Sequence, residues 1–142
     1  CFSEYLADNS DLEIVGPFYS QSQMANALNQ TTDILAANPD LVGIFGANEP
    51  TAVGMGRAII QAGKAGDLVA LGFDGNEDLQ QFVRDGVLQA TAVQGSFAMG
   101  DLGVKTVIDI LAGNEVESFI NTGVVLVDQE NIDSDVAQNV LY

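Results

Sequence analysis

Apolar positions along this chain switch repeatedly between a helical and a strand-like spacing. Phe2, Tyr5 and Leu6 fall at helical spacing, and residues 1–9 read as the later turns of a helix. Residues 12–15 are short and apolar, which predicts a strand. From Ser22 the pattern turns helical through Met24, Leu28, Thr31 and Leu35. Asn38-Pro39 ends that helix, because proline drives the residue before it out of helical geometry. Residues 41–47 are apolar apart from glycine, as a buried parallel strand requires. Ala52, Met55, Ile59 and Ala62 restore helical spacing from Thr51 to Gly63, a C-cap residue. A strand over 68–73 follows, then a helix capped by Asn76, carrying Leu79, Phe82 and Val83, and closed by Gly86. Residues 88–93 are a β-branched strand. The spacing of Val104, Val107 and Leu111 predicts a long helix over 97–112, and 123–127 reads as a further strand before a polar tail.

Successive strand–helix units imply right-handed crossovers. The fold class they predict is α/β: a three-layer open parallel sheet with helices on both faces. The acidic run from Asp128 reads as a solvated turn leading into a short helix, and it lacks the spacing of a calcium loop. No run of 18 apolar residues occurs, so no membrane insertion is expected.

Composition changes the picture mainly by exclusion. The 142 residues, 47% of them hydrophobic, suffice for one domain with its own core. Twenty acidic residues stand against four basic ones, a net charge of -16. Nucleic acid and anionic membranes are bound through Lys/Arg clusters, so neither is an expected partner. There is no His, and the single Cys is Cys1. Histidine-centred catalysis, Cys/His zinc sites and an internal disulfide are therefore excluded, and no metal or cofactor is expected. Cys1 itself reads as a junction, with a lipid-anchor cysteine as the alternative.

Candidate chemistry sits where the strands end. Open α/β sheets hold ligands beyond the carboxyl ends of their strands. The predicted strands end at Asn48, at Asp74 within Gly72-Phe73-Asp74-Gly75, and at Gln94. An ionised carboxylate accepts from two hydroxyls, and an amide donates and accepts at once, so this set suits a neutral polyhydroxylated ligand. The plain alternative is that Asn48 and Asp74 are turn formers and helix caps. Glu49 and Asp74 would be the acid and base of an enzyme, but Ser20 and Ser96 lack any base to activate them, and Lys64 and Lys105 fall in or near helices. No catalysis is expected. Gly43, Gly46, Gly54 and Gly56 lack the dinucleotide spacing, and close helix–sheet packing accounts for Gly54 and Gly56.

The segments Phe45-Gly46-Ala47-Asn48-Glu49-Pro50-Thr51, Val69-Ala70-Leu71-Gly72-Phe73-Asp74-Gly75 and Ala90-Thr91-Ala92-Val93-Gln94, in this order, resemble the C-terminal half of a periplasmic sugar-binding protein. The similarity is to the ribose-binding-like branch of the type I binding-protein fold. The resemblance implies two α/β lobes closing around a monosaccharide, with a pentose such as ribose as a candidate. It assigns Asn48, Asp74 and Gln94 to the ligand. It implies that residues 1–95 form one lobe core without its first strand, that 96–127 belong to the other lobe, and that 128–142 return as a tail. Ser22 stands where the family often carries an aromatic, with Phe18 and Tyr19 nearby. The expected role is ABC-type uptake or sensing outside the cytoplasm, with membrane anchoring of the parent as a variant. Expected partners are an N-terminal lobe or a second copy of the chain, and a transporter permease. The alternatives are the effector-binding core of a transcriptional regulator and a non-binding half-protein module.

Overall fold

The structure, a computed structural model, describes residues 2–142. The readings of Cys1 lie outside the described residues. Along the chain come α1 (Phe2–Asn9), α2 (Met24–Ala37), β1 (Gly43–Phe45), α3 (Glu49–Gln61), β2 (Val69–Phe73), α4 (Glu77–Arg84), β3 (Ala90–Gln94), α5 (Ser96–Leu111), β4 (Val124–Asp128) and α6 (Asp135–Gln138).

Local chemistry sets several of these boundaries. The side chains of Asn48, Asn76 and Ser134 accept hydrogen bonds from the backbone N–H of Thr51, Leu79 and Ala137, and so start α3, α4 and α6. Gly63 and Gly86 follow α3 and α4 with φ of 65° and 71°, left-handed conformations that glycine adopts without a Cβ clash. After Asp128, the backbone N–H groups of Glu130 and Asn131 both donate to its Oδ1, so the acidic run forms a capped turn leading to α6.

The sheet runs β1-β2-β3-β4. Alternation along the strands puts Ile44, Ala70, Thr91, Val93 and Val127 on one face, where helices cover them. Met55 and Ile59 of α3 and Leu79 and Val83 of α4 fill that face and are almost fully buried. Phe45 points to the other face, where its ring centroid lies 4.6 Å from that of Phe2 on α1. Helices therefore lie on both faces, unequally.

Three expectations need correction. Residues 12–15 form no strand, and Leu12, Ile14 and Val15 stay exposed. Their composition suits a strand, but a strand is stabilised by a hydrogen-bonded neighbour, and none of the described strands pairs with them. The sheet is also not wholly parallel, since β3 and β4 pair antiparallel. α5 buries none of its residues and does not fold back over the sheet as a crossover helix would, so the chain returns in the opposite sense. Finally, Gly54 and Gly56 serve helix–helix rather than helix–sheet packing. A Cβ on Gly54 would meet Ala27 and Leu28 of α2, and one on Gly56 would meet the Phe82 ring of α4.

The charge imbalance bears on stability. Arg57–Asp78, Arg84–Asp133 and Lys105–Asp101 are ion pairs with exposed side chains, where solvent screening leaves each a small contribution. Salt weakens these pairs, but it also screens repulsion among 20 acidic residues, which is the larger effect. The melting temperature is expected to rise by about 3–5 °C, equivalent to about 1 kcal/mol, from low to physiological salt. Thermal denaturation at the two ionic strengths checks this, and a flat or falling midpoint refutes it.

Candidate functional site: a strand-end rim

The carboxyl ends of β1, β2 and β3 point the same way, so the residues just beyond them share one rim. On the β1 side, Asn48 Oδ1 accepts from Thr51 N–H at 3.1 Å, while Nδ2 donates to Ser22 Oγ at 2.8 Å. Ser20 and Thr51 hydroxyls lie 2.7 Å apart and tie the loop before α2 to the start of α3. The capping role of Asn48 is thus real. One lone pair of Oδ1 and one N–H of Nδ2 remain for a ligand.

Asp74 is different. The cap of α4 is Asn76, so Asp74 is not needed there. Its φ of 73° lies in the left-handed region, which aspartate tolerates better than most residues. Three bonds hold it: its N–H donates to Ala92 O at 2.9 Å, its carbonyl accepts from Thr91 Oγ1 at 2.7 Å, and its Oδ1 accepts from Gln94 Nε2 at 3.0 Å. Thr91 is only 1% exposed, and its hydroxyl is committed to this backbone. The result is a half-buried carboxylate oriented by a neighbouring amide.

The structure therefore joins Asp74 and Gln94 directly, and it holds Asn48 on a separate network with Ser22. Sequence reading missed Ser22, which offers its hydroxyl to Asn48, and Thr91, whose only signal was a polar residue in an apolar strand. It also missed Tyr142, whose hydroxyl donates to Glu49 Oε2 at 2.7 Å. Burial of the hydroxyl end, then the Glu49 carboxylate, pushes the Tyr142 phenol up to about 12, so it remains a donor at ordinary pH. Phe18 and Tyr19 are exposed. A depression of about 270 Å³, lined by Gly86, Leu88, Gln89 and residues 128–130, lies at the opposite end of the sheet from this rim.

The fold and rim can now be set beside known proteins. The family described as "Periplasmic binding protein domain" matches residues 1–115. The chain belongs to this periplasmic binding protein family. Among curated relatives, the ribose import binding protein of Escherichia coli is 38% identical over 91 residues, covering 64% of this chain and 30% of that protein. Among solved structures, an ABC transporter solute-binding protein from Agrobacterium vitis with bound D-fucose superposes with a TM-score of 0.95 at 68% identity, covering 99% of this chain and 49% of that one. A carbohydrate transporter solute-binding protein from Agrobacterium radiobacter in complex with D-arabinose gives 0.92 at 29% identity, covering 99% and 48%. The chain thus spans about half the length of these solved relatives. As a periplasmic binding protein domain it has sugar-binding transport proteins as relatives, and among the described residues no helix is long and apolar enough to cross a membrane.

Proposed function

We propose that this domain forms one wall of a monosaccharide site within a non-catalytic, periplasmic solute-binding protein for ABC-type import, working with a permease. In this reading Asp74 accepts hydrogen bonds from two sugar hydroxyls, Gln94 orients it and adds an amide, and Asn48 offers its remaining donor and acceptor. The observation that carries the reading is Asp74 itself: two backbone bonds hold it at the strand-end rim and Gln94 orients its carboxylate, although no helix needs it as a cap. The ligands bound in the similar structures, D-fucose and D-arabinose, are neutral sugars of the chemistry this rim suits.

The rim is open, and a sugar gains much of its affinity from enclosure. We propose that α5 and the segment between it and β4 dock on a second lobe that supplies the facing wall, while β4, paired with β3, and the tail after Asp128 stay with the first. Supporting this, α5 buries none of its sixteen residues, and Phe97, Val104, Ile108 and Leu111 are all exposed. Apolar surface of this extent marks an interface.

The test is a chimera in which this chain replaces the matching part of the Agrobacterium vitis protein. Calorimetric titration with D-fucose, D-arabinose, D-ribose and D-allose is expected to give saturable one-to-one binding with at least one of them. No heat from any sugar at about 10 mM, where even a weak interaction of about −4 kcal/mol would register, overturns the reading.

A further inference from the structure

The rim consists of two networks that do not bond to each other directly. Asn48, Ser22, Thr51 and Ser20 form one, at the β1–α3 junction. Asp74, Thr91 and Gln94 form the other, at the ends of β2 and β3. Direct backbone bonding between β1 and β2 reaches only as far as Gly46 N–H to Leu71 O at 3.0 Å, short of both Asn48 and Asp74. Lower down, the Arg57–Asp78 ion pair ties α3 to α4, but Arg57 lies about 12 Å along α3 from Glu49.

Tyr142 spans this gap. Its N–H donates to the carbonyl of Gly75, the residue after Asp74, at 3.3 Å. Gln80 Nε2 donates both to that carbonyl, at 2.9 Å, and to Tyr142 O, at 3.2 Å. Leu141 packs so closely on Gly75 that a Cβ there would lie 2.7 Å from its Cδ2. The backbone of Tyr142 is thereby fixed to the Asp74 side, while its phenol reaches Glu49, the residue after Asn48. An O–H···O⁻ bond of this length is of the strong, charge-assisted kind.

We propose that Tyr142 is a positioning residue for ligand binding: by donating to Glu49 it locks the separation of Asn48 from the Asp74–Gln94 pair, so that both halves of the rim meet one sugar. This rests on the sugar-binding reading above. The phenol acts through Glu49 and Gly75, and need not touch the sugar.

Two measurements test it. In the chimera, Tyr142→Phe is expected to weaken sugar affinity about tenfold, and Glu49→Ala to do the same. The two together should cost no more than either alone, because they break one bond. Glu49→Gln should retain affinity close to the parent, since its amide oxygen still accepts from the phenol. Additive losses, or a Glu49→Gln loss as large as that of Glu49→Ala, overturn the proposal. In the 142-residue chain, amide exchange of Tyr142→Phe should quicken at Thr51 and Asp74 while the Ala70 and Val93 amides keep their rates. Unchanged exchange at the rim overturns the proposal, as does acceleration spread evenly through the core, which would make Tyr142 a general stabiliser. If Asp74→Ala loses sugar and Tyr142→Phe does not, this inference fails alone. If the chimera binds no sugar, the sugar reading fails; if it binds and neither Asp74→Ala nor Tyr142→Phe changes the affinity, the assignment of this rim and this inference fail together.

Discussion

Sugar affinity of the chimera is expected to fall at least about a hundredfold in Asp74→Asn and further in Asp74→Ala. Each hydrogen bond from a hydroxyl to a charged group contributes about 1.5–3 kcal/mol, and in the proposed reading the half-buried Asp74 carboxylate accepts two. Asparagine is the cleaner variant. It tolerates the left-handed φ of 73°, its Oδ1 can still accept from Gln94, and its backbone bonds to Ala92 and Thr91 persist. Alanine adds a backbone penalty of about 1 kcal/mol at the same φ. The melting temperature of Asp74→Asn should stay within a few degrees of the parent while titration heats vanish. An affinity within threefold of the parent would remove Asp74 from the site. Asn48→Ala is a poorer probe, because it also strips α3 of its cap, at a cost of about 1 kcal/mol to the fold.

The largest loss of stability is expected at Gly54→Val. By helix propensity alone, replacing glycine inside α3 should help. Packing reverses the sign. A Cβ there would overlap the carbonyl of Met24 and lie 2.8 Å from Ala27 Cβ and 2.9 Å from Leu28 N. Two of these three are backbone atoms of α2, which cannot rotate away. Separating α2 from α3 would loosen Ala27, Val53 and Leu35, all buried. The expected cost is about 3 kcal/mol or more, a sizeable share of the roughly 5–15 kcal/mol that stabilises a domain. Urea titration should show the midpoint collapsing. Gly103→Ala in α5, where nothing lies within 4 Å, is the control and should be neutral or slightly stabilising. Equal midpoints for Gly54→Val and the parent would refute the close approach.

Much of this was legible in the sequence because the signals were local. Asn76 before an acidic first turn, and Gly63 and Gly86 after apolar stripes, mark helix ends that the structure reproduces. The strand-end positions of Asn48, Asp74 and Gln94 were equally readable, since each follows an apolar run. The rest depended on where the chain travels. Residues 12–15 have the composition of a strand, yet pairing is a property of a neighbour and not of the run itself. The sense of β4 was hidden because the spacing within α5 says nothing about which way the helix leaves the sheet. Whether Asn48 and Asp74 were mere caps could not be settled by spacing either. The structure separates them: Asn48 is the cap of α3, whereas Asn76 relieves Asp74 of that duty on α4. Tyr142 left no mark at all, its partner Glu49 lying 93 positions away.

The sheet order also carries a consequence for how the chain assembles. Each strand from β1 to β4 pairs with the next one in sequence, so every step of the sheet closes a loop of modest length. Each connection carries a helix and is far longer than a hairpin turn, so the strands pair through crossovers and not by direct zipping. The Tyr142–Glu49 bond is the opposite case. It joins residues 93 positions apart, so in an unfolded chain it closes a far longer loop than any step of the sheet. If Tyr142 positions the rim as proposed, fraying of the residues after α6 would loosen the rim without opening the sheet.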